Sequence, residues 1–159
     1  MEPPSSRNIT VLNESEHRVR TAPLARAMRG AFDLHGKSNS HACLLLTSDE
    51  HIRNLNRQFR GIDESTDVLT FPAGDFAGEQ LGDVAIAVPY AVRQAKARRV
   101  SLSQELGYLA IHGALHLIGF DDESEPDREE MVRQMNAVAI ATGFKPDENW
   151  ASLLHGVAQ

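Results

Sequence analysis

The chain has 159 residues, of which 42% are hydrophobic and 24% are charged, and this composition is typical of one globular domain that buries its own core. Its formal net charge is -6, so the protein as a whole would repel nucleic acid, which could bind only at a local basic patch. The single cysteine, Cys43, excludes a disulfide framework. No basic-then-apolar start and no long apolar run predict a leader or a membrane span, so we expect a cytoplasmic protein with one domain over residues 1–159.

The hydrophobic pattern alternates between strand and helix periods along the chain. It predicts strands over residues 8–12, 42–46, 66–72 and 83–88, and helices over 23–34, 49–59 and 90–99, followed by two helices that begin at Ser101 and Ser124 and end near Ile118 and Gly143. Residues 73–82 are expected to form a loop, and residues 1–7 and about 144–159 are expected to be flexible. The order indicates an α+β domain with a mixed four-stranded sheet and about five helices.

The helix that begins at Ser101 carries two histidines four residues apart, His112 and His116. Residues at this spacing lie on the same face of an α-helix, which is a spacing found among metal ligands. Gly119 tolerates the left-handed backbone with which helices commonly end, so the chain can turn back towards the two imidazoles. Asp122 is the expected third ligand, and Asp121 is the alternative.

The resulting pattern, H-x-x-x-H-x-x-G-x-x-D, resembles the signature of the metzincin-type metal helix, with aspartate where the last histidine usually stands. It lacks the glutamate that follows the first histidine in zinc peptidases, because Gly113 occupies that position. Two histidines at this spacing also occur as hydrogen-bonded or solvent-facing side chains of ordinary helices. The spacing alone therefore leaves both interpretations open.

Several arginines lie on the predicted helices that precede the histidines. The set comprises Arg53, Arg57, Arg60, Arg93 and Arg99. Such clusters are typical of a solvated helix face or of a helix end that complements its dipole. They are also the residues that could form the local positive track required for RNA to bind an acidic protein.

Three blocks of the sequence, taken together, point to a family. They are residues 55–72 (LNRQFRGIDESTDVLTFP), residues 81–86 (LGDVAI) and residues 112–122 (HGALHLIGFDD). In this order they resemble the motifs of the YbeY family of bacterial rRNA-maturation endoribonucleases. The resemblance extends over residues 8–142, and it includes Gly113, the family's usual residue where a zinc peptidase has glutamate.

The resemblance implies a zinc-dependent, single-strand-specific endoribonuclease that acts in rRNA 3′-end maturation and ribosome quality control. The implied partners are rRNA and the small ribosomal subunit, and the implied cofactor is one Zn²⁺ per chain. Three histidines bind zinc in the family, and His112 and His116 correspond to the first two. The family's arginine in the Asn-x-x-Phe/Tyr-Arg motif, here Arg60, is implied to be essential. The mixed sheet of the family agrees with the elements predicted above.

One departure from the family pattern concerns the third ligand, because Asp122 stands where the family has histidine. A carboxylate can bind zinc, but it makes manganese or another oxygen-preferring ion more competitive. No general base is evident on the helix, and Asp121 and Glu123 are nearby candidates. Two alternatives stay open: a non-catalytic ribosome-assembly or RNA-binding factor with an altered metal site, and a metallohydrolase of another substrate class, which the missing glutamate disfavours.

Overall fold

The structure is a computed structural model that describes residues 7–150 and the backbone of residues 156–157. The elements are β1 (Ile9–Asn13), α1 (Ala22–Leu34), β2 (His41–Thr47), α2 (Asp49–Arg60), β3 (Val68–Pro72), β4 (Gln80–Ala87), α3 (Val88–Arg98), α4 (Leu102–Leu117), α5 (Glu125–Thr142) and β5 (Gly156–Val157). Four strands of five to eight residues and the five helices confirm the predicted α+β class. The two-residue strand β5 adds to the predicted sheet.

The sheet is mixed, with the strand order β1-β2-β4-β3-β5. Strands β1, β2 and β4 are parallel, β3 runs antiparallel to β4, and β5 is parallel to β3. Helix α1 connects the two parallel strands β1 and β2, as parallel neighbours require a crossover. The antiparallel pair β3 and β4 brings Thr70 opposite Val84.

The two faces of the sheet carry different helices, because successive side chains of a strand point to opposite sides. On β4, Val84 and Ile86 belong to the larger core, which is filled by buried side chains of α1, α4 and α5. Ala85 and Ala87 belong to a smaller core with Ile52 of α2. Helices α4 and α2 therefore pack on opposite faces of the sheet.

Strand β4 differs from the prediction at its start and at its end. Strand β4 begins at Gln80, inside the segment 73–82 that was expected to be a loop, because these residues pair with β2 and β3. Val88, predicted to end the strand, begins α3 instead. Pro89 lies in the first helical turn, where a backbone N–H has no helical partner and proline is well tolerated.

The expected flexible ends are described only in part. Residues 1–6, 151–155 and 158–159 lie outside the described residues. The segment 144–150 packs against the domain: Phe144 covers Gly107 of α4, and the Trp150 side chain is buried. Cys43 is half-buried on β2, and burial raises the pKa of its thiol. Among the described helices, none is long and apolar enough to cross a membrane.

Candidate metal centre

Helix α4 holds His112 and His116 rigidly, because it lies within the core. The helix starts at Ser101, whose Oγ accepts a hydrogen bond from the backbone N–H of Gln104 at 3.1 Å. All its residues from Glu105 onwards are buried. The Nε2 atoms of His112 and His116 lie 3.1 Å apart, so the two rings direct the same nitrogen towards one point.

The turn after α4 brings a carboxylate to the two histidines. Gly119 has a φ of 104°, a left-handed backbone that a side chain would strain. Asp122 Oδ2 then lies 3.5 Å from His112 Nε2, and Asp122 Oδ1 lies 3.6 Å from His116 Nε2. Asp121 remains exposed and accepts a hydrogen bond from the Asp122 backbone N–H at 2.8 Å. Asp122, rather than Asp121, therefore lies close to the two Nε2 atoms, and Asp121 contributes to the turn.

The distances among the three side chains fit a small divalent metal ion. Zinc binds nitrogen and oxygen at about 2.0–2.2 Å in tetrahedral sites, so neighbouring ligand atoms in such a site lie about 3.3–3.6 Å apart. The separations of 3.1, 3.5 and 3.6 Å are close to that range. Two imidazole nitrogens and one carboxylate are also a donor set that transition metals accept. His112, His116 and Asp122 can therefore hold a metal ion.

Three contacts fix the loop that carries Asp122. Phe120 packs edge-on against the His35 ring, with centroids 4.9 Å apart, and its backbone N–H donates to Leu115 O at 3.0 Å. Arg128, in the first turns of α5, donates a hydrogen bond to Glu123 O at 2.7 Å. The segment that carries Asp122 is thus tied to the end of α1 and to α4 and α5.

Gly113 allows α4 to approach the sheet closely between the two histidines. A Cβ atom at this position would lie 2.6 and 2.9 Å from the two methyl carbons of Val84 on β4. A glutamate after the first histidine, which zinc peptidases use as a general base, would therefore collide with the sheet. This contact gives a physical reason against the peptidase-like alternative.

A buried side-chain network lies beside His112. The Trp150 ring packs against the His112 ring, with centroids 5.3 Å apart and an interplanar angle of 54°. Trp150 Nε1 lies 3.2 and 3.3 Å from the two carboxylate oxygens of Glu105, to which it donates. Arg98 Nε lies 3.3 Å from Glu105 Oε1, and the Arg98 guanidinium carbon lies 5.2 Å from the centre of the Trp150 ring.

Glu105 is the one acidic residue of α4, and 0% of its surface is exposed. Burial raises the pKa of Glu105 to about 7, and the Arg98 guanidinium and the hydrogen bond from Trp150 limit the rise. Near neutral pH this side chain is therefore partly protonated.

Arg60 lies in the last turn of α2, half-buried. Its Nη1 donates to Asn56 Oδ1 at 3.0 Å, and Asn56 Nδ2 donates to Glu64 O at 2.9 Å, so the buried Asn56 orients the guanidinium. Across residues 7–150, no hydrogen bond or ion pair joins Arg60 to the three candidate ligands. The helix that carries Arg60 packs on the face of the sheet opposite α4.

The other predicted arginines are exposed, and three of them are partnered by acids. Arg53 makes two hydrogen bonds with Asp63, at 2.8 and 3.2 Å, and Arg57 lies 3.9 Å from the same carboxylate. Arg93 pairs with Asp49 at 2.9 Å. The last of the set, Arg99, follows α3 with a left-handed φ of 60°. In the folded protein, acids therefore pair with three arginines of the predicted positive track. The sequence pattern did not indicate this pairing.

A comparison with protein families decides the relationship. The family model described as Endoribonuclease YbeY matches residues 10–142 of this chain. The chain belongs to the YbeY family. This finding confirms the resemblance seen in the sequence, and the matched range covers every residue of the candidate centre together with Arg60.

Individual relatives in the YbeY family support the assignment. A protein named Endoribonuclease YbeY from Synechococcus sp. (strain JA-2-3B'a(2-13)) is 49% identical over 62% of this chain, and the match spans 66% of that relative, just under two thirds. The protein of the same name from Anaeromyxobacter sp. (strain Fw109-5) is 39% identical over 86% of this chain and 73% of its own length. That from Desulfitobacterium hafniense is 38% identical over 82% and 90%.

A solved structure shares the fold. The solution structure of TM1509 from Thermotoga maritima superposes with a TM-score of 0.58 at 28% sequence identity. The superposition covers 84% of this chain and 90% of TM1509. The α+β arrangement of this YbeY-family chain therefore recurs in a protein whose structure was determined by experiment.

The sequence analysis did not identify three residues of the network beside His112: Glu105, Trp150 and Arg98. Trp150 and Glu105 are 45 residues apart in the chain and meet only in the folded protein. One sequence signal was available, because an acid at position 105 interrupts the apolar stripe of a helix that is otherwise buried. A charged residue at such a position generally has a specific partner.

Proposed function

We propose that this protein is a metal-dependent endoribonuclease that cleaves single-stranded RNA in rRNA 3′-end maturation and ribosome quality control. The observation that carries the proposal is the buried group of His112, His116 and Asp122 in a chain of the YbeY family. The proposed partners are rRNA and the small ribosomal subunit, and the proposed location is therefore the cytoplasm.

The proposed ion is Zn²⁺, one per chain. Two imidazoles and a carboxylate are a ligand set that catalytic zinc sites use, and three protein ligands leave one position open. The carboxylate of Asp122 makes manganese a stronger competitor than it would be at a site with three histidines. Metal content of the purified protein distinguishes the two ions.

The proposed reaction divides the work between the ion and the protein. An ion held by these residues would supply Lewis-acid chemistry for a phosphodiester and for a water molecule. His112 and His116 would bind the ion through their Nε2 atoms, and the Asp122 carboxylate would be the third ligand. Arg60 is proposed to neutralise the charge that develops on the reacting phosphate. Since Gly113 excludes a base at its position, the exposed carboxylates of Asp121 and Glu123 are the proton acceptors to test.

The RNA itself is proposed to contact Arg53, Arg57, Arg93 and Arg99. Three of these side chains are held by Asp63 and Asp49, so phosphate must compete with a carboxylate for each of them. We therefore expect a weak, salt-sensitive contribution to binding from this surface.

The test is cleavage of a labelled single-stranded RNA by full-length protein purified without chelator, with metal content measured by mass spectrometry. The parent should contain near-stoichiometric metal and cleave, a chelator should abolish cleavage, and Asp122→Ala should lose both metal and activity. Asp122→His should retain both. A parent without metal, in which Asp122→His restores binding, would mean that aspartate has disabled the centre and that a non-catalytic role should be adopted instead.

The role of Arg60 needs a separate variant with a charge-matched control. Arg60→Gln should leave metal content unchanged and lower the cleavage rate at saturating RNA. Arg26, an exposed arginine on α1, supplies the control, because Arg26→Gln removes the same charge far from α2. Equal rates for the two variants would remove Arg60 from the proposed mechanism.

A further inference from the structure

We propose that Trp150 and Glu105 are positioning residues of the metal centre: the indole of Trp150 fixes the His112 ring, and the carboxylate of Glu105 fixes the indole. The inference rests on the proposed metal-binding function of His112. It assigns a role to two residues outside the ligand set.

The first step is the contact between the two rings. His112 is 2% exposed and Trp150 is 4% exposed, so the indole closes one side of the imidazole against the core. An imidazole ligand must keep both its position and its ring rotation to direct Nε2 at an ion, and residues that surround ligands commonly serve this purpose. At 5.3 Å and 54°, the indole restricts that rotation by packing.

The second step is that Trp150 needs an anchor of its own. It follows α5 in a segment without helix or strand, so no regular backbone structure defines the place of its ring. Three side chains do so instead: Glu105 accepts from Nε1, Arg98 lies over the ring, and the Tyr108 ring lies 5.7 Å away. Of these, only Glu105 provides a directional hydrogen bond.

The third step is the placement of Glu105 on α4. Glu105 and His112 are seven residues apart, close to two helical turns, so both project from the same face of the helix. The indole spans the distance between them along that face. An apolar side chain would fill this core position without the cost of burying an acid. The carboxyl group of Glu105 instead supplies acceptors for Trp150 and lies 3.3 Å from Arg98 Nε.

The experiment is titration of the full-length, metal-free protein with Co²⁺, a spectroscopic substitute for zinc. The variants are Trp150→Ala, Glu105→Leu and Glu105→Gln, the last of which retains an acceptor for the indole. The first two should weaken Co²⁺ binding by about 10- to 100-fold, the range found for residues that support metal ligands. They should also shift the visible absorption band of bound Co²⁺, while Glu105→Gln should stay within about three-fold of the parent.

A destabilised control separates positioning from general loss of stability. Ile52→Ala truncates a fully buried side chain on the opposite face of the sheet, so it lowers stability without touching the Trp150 network. It should bind Co²⁺ like the parent. Weakening equal to that of Glu105→Leu would overturn the inference, as would parent-like binding by both Trp150→Ala and Glu105→Leu.

The single tryptophan supplies an independent readout. Because Trp150 contacts His112, stoichiometric Co²⁺ should quench its fluorescence in the parent. A parent that binds Co²⁺ without quenching would overturn the inference and leave the proposed nuclease function standing. A parent that binds neither Co²⁺ nor Zn²⁺ would overturn both.

Discussion

The buried centre on α4 and the exposed arginines on α2 and α3 are held in different ways. The three candidate ligands are enclosed by packing: Gly113 brings α4 against β4, and Trp150 covers His112. The arginines are instead held by surface acids, as in the pair of Arg53 with Asp63. The candidate ligands are therefore already arranged by the fold. The paired arginines, in contrast, would have to release their carboxylate partners in order to bind phosphate.

Glu105 beside the buried centre and Asp63 beside the exposed arginines have pKa values shifted in opposite directions. Burial raises the pKa of Glu105 to about 7, whereas the hydrogen bond from Arg53 lowers the pKa of the exposed Asp63. Desolvation dominates in the core, and local charge dominates at the surface. Substitutions in the first region should therefore have large effects on stability or metal affinity, and those in the second should have small, salt-dependent effects.

The largest expected effect is loss of a ligand. His116→Ala should weaken Zn²⁺ binding by on the order of 1,000-fold, or about 4 kcal/mol, because one imidazole and one carboxylate remain. Competition with a chromophoric chelator measures the affinity. The exposed His41 supplies the matched control, and His41→Ala should bind like the parent. Similar losses in both variants would show that the metal is bound elsewhere.

The next effect concerns Glu105 and pH. Because its pKa is raised, Glu105 still holds its proton in the folded protein at pH values at which the unfolded chain has released it. The stabilisation that the protonated side chain contributes is therefore complete below about pH 4.5 and is lost as the pH rises through about 7. Glu105→Gln cannot lose this proton. Relative to the parent, it should therefore gain about 3 kcal/mol in unfolding free energy between pH 4.5 and pH 8.

Denaturant unfolding of both proteins in the presence of chelator measures this difference, since subtracting the two curves cancels the titration of shared groups. Parallel stability curves across the pH range would contradict the prediction. They would indicate that Glu105 stays ionised in the core, paired with Arg98.

A smaller effect should follow from adding a methyl group at the close contact between α4 and the sheet. Gly113→Ala places a methyl group against Val84, which should destabilise the protein by about 2 kcal/mol through overpacking. The double variant Gly113→Ala with Val84→Ala should be more stable than the sum of the two single variants predicts. Thermal unfolding of the parent, the two single variants and the double variant measures this non-additivity. Strict additivity would show that the two positions do not touch.

The parts of this molecule that follow from sequence are those set by local periodicity. His112 and His116 share a face because a helix repeats every 3.6 residues, and Gly119 indicated that the chain turns back with Asp122. The same reasoning gave about five helices and four strands of a mixed sheet, and the described part of the chain confirms these elements and adds β5. Each inference needed only residues close together in the chain.

The parts that did not follow depend on contacts between distant residues. Trp150 meets Glu105 across 45 positions, and no periodic pattern specifies that meeting. Likewise Arg93 pairs with Asp49, 44 residues away, which changes a predicted positive track into a set of ion pairs. The local charge of a surface depends on which acids the fold places there, whereas the composition gives only the net charge of the whole chain.

The smallest expected effect is at the surface and tests whether its acids limit RNA binding. Asp63→Asn removes the partner of Arg53 and Arg57, so affinity for a single-stranded RNA should rise about three-fold, and the dependence on salt should steepen as more arginines reach phosphate. Asp75→Asn, on the exposed β3–β4 loop, changes the net charge equally and should have a smaller effect. Binding at several KCl concentrations separates the outcomes: an equal gain in both variants would assign the effect to net charge, whereas a gain confined to Asp63→Asn would show that RNA binds where these two arginines lie.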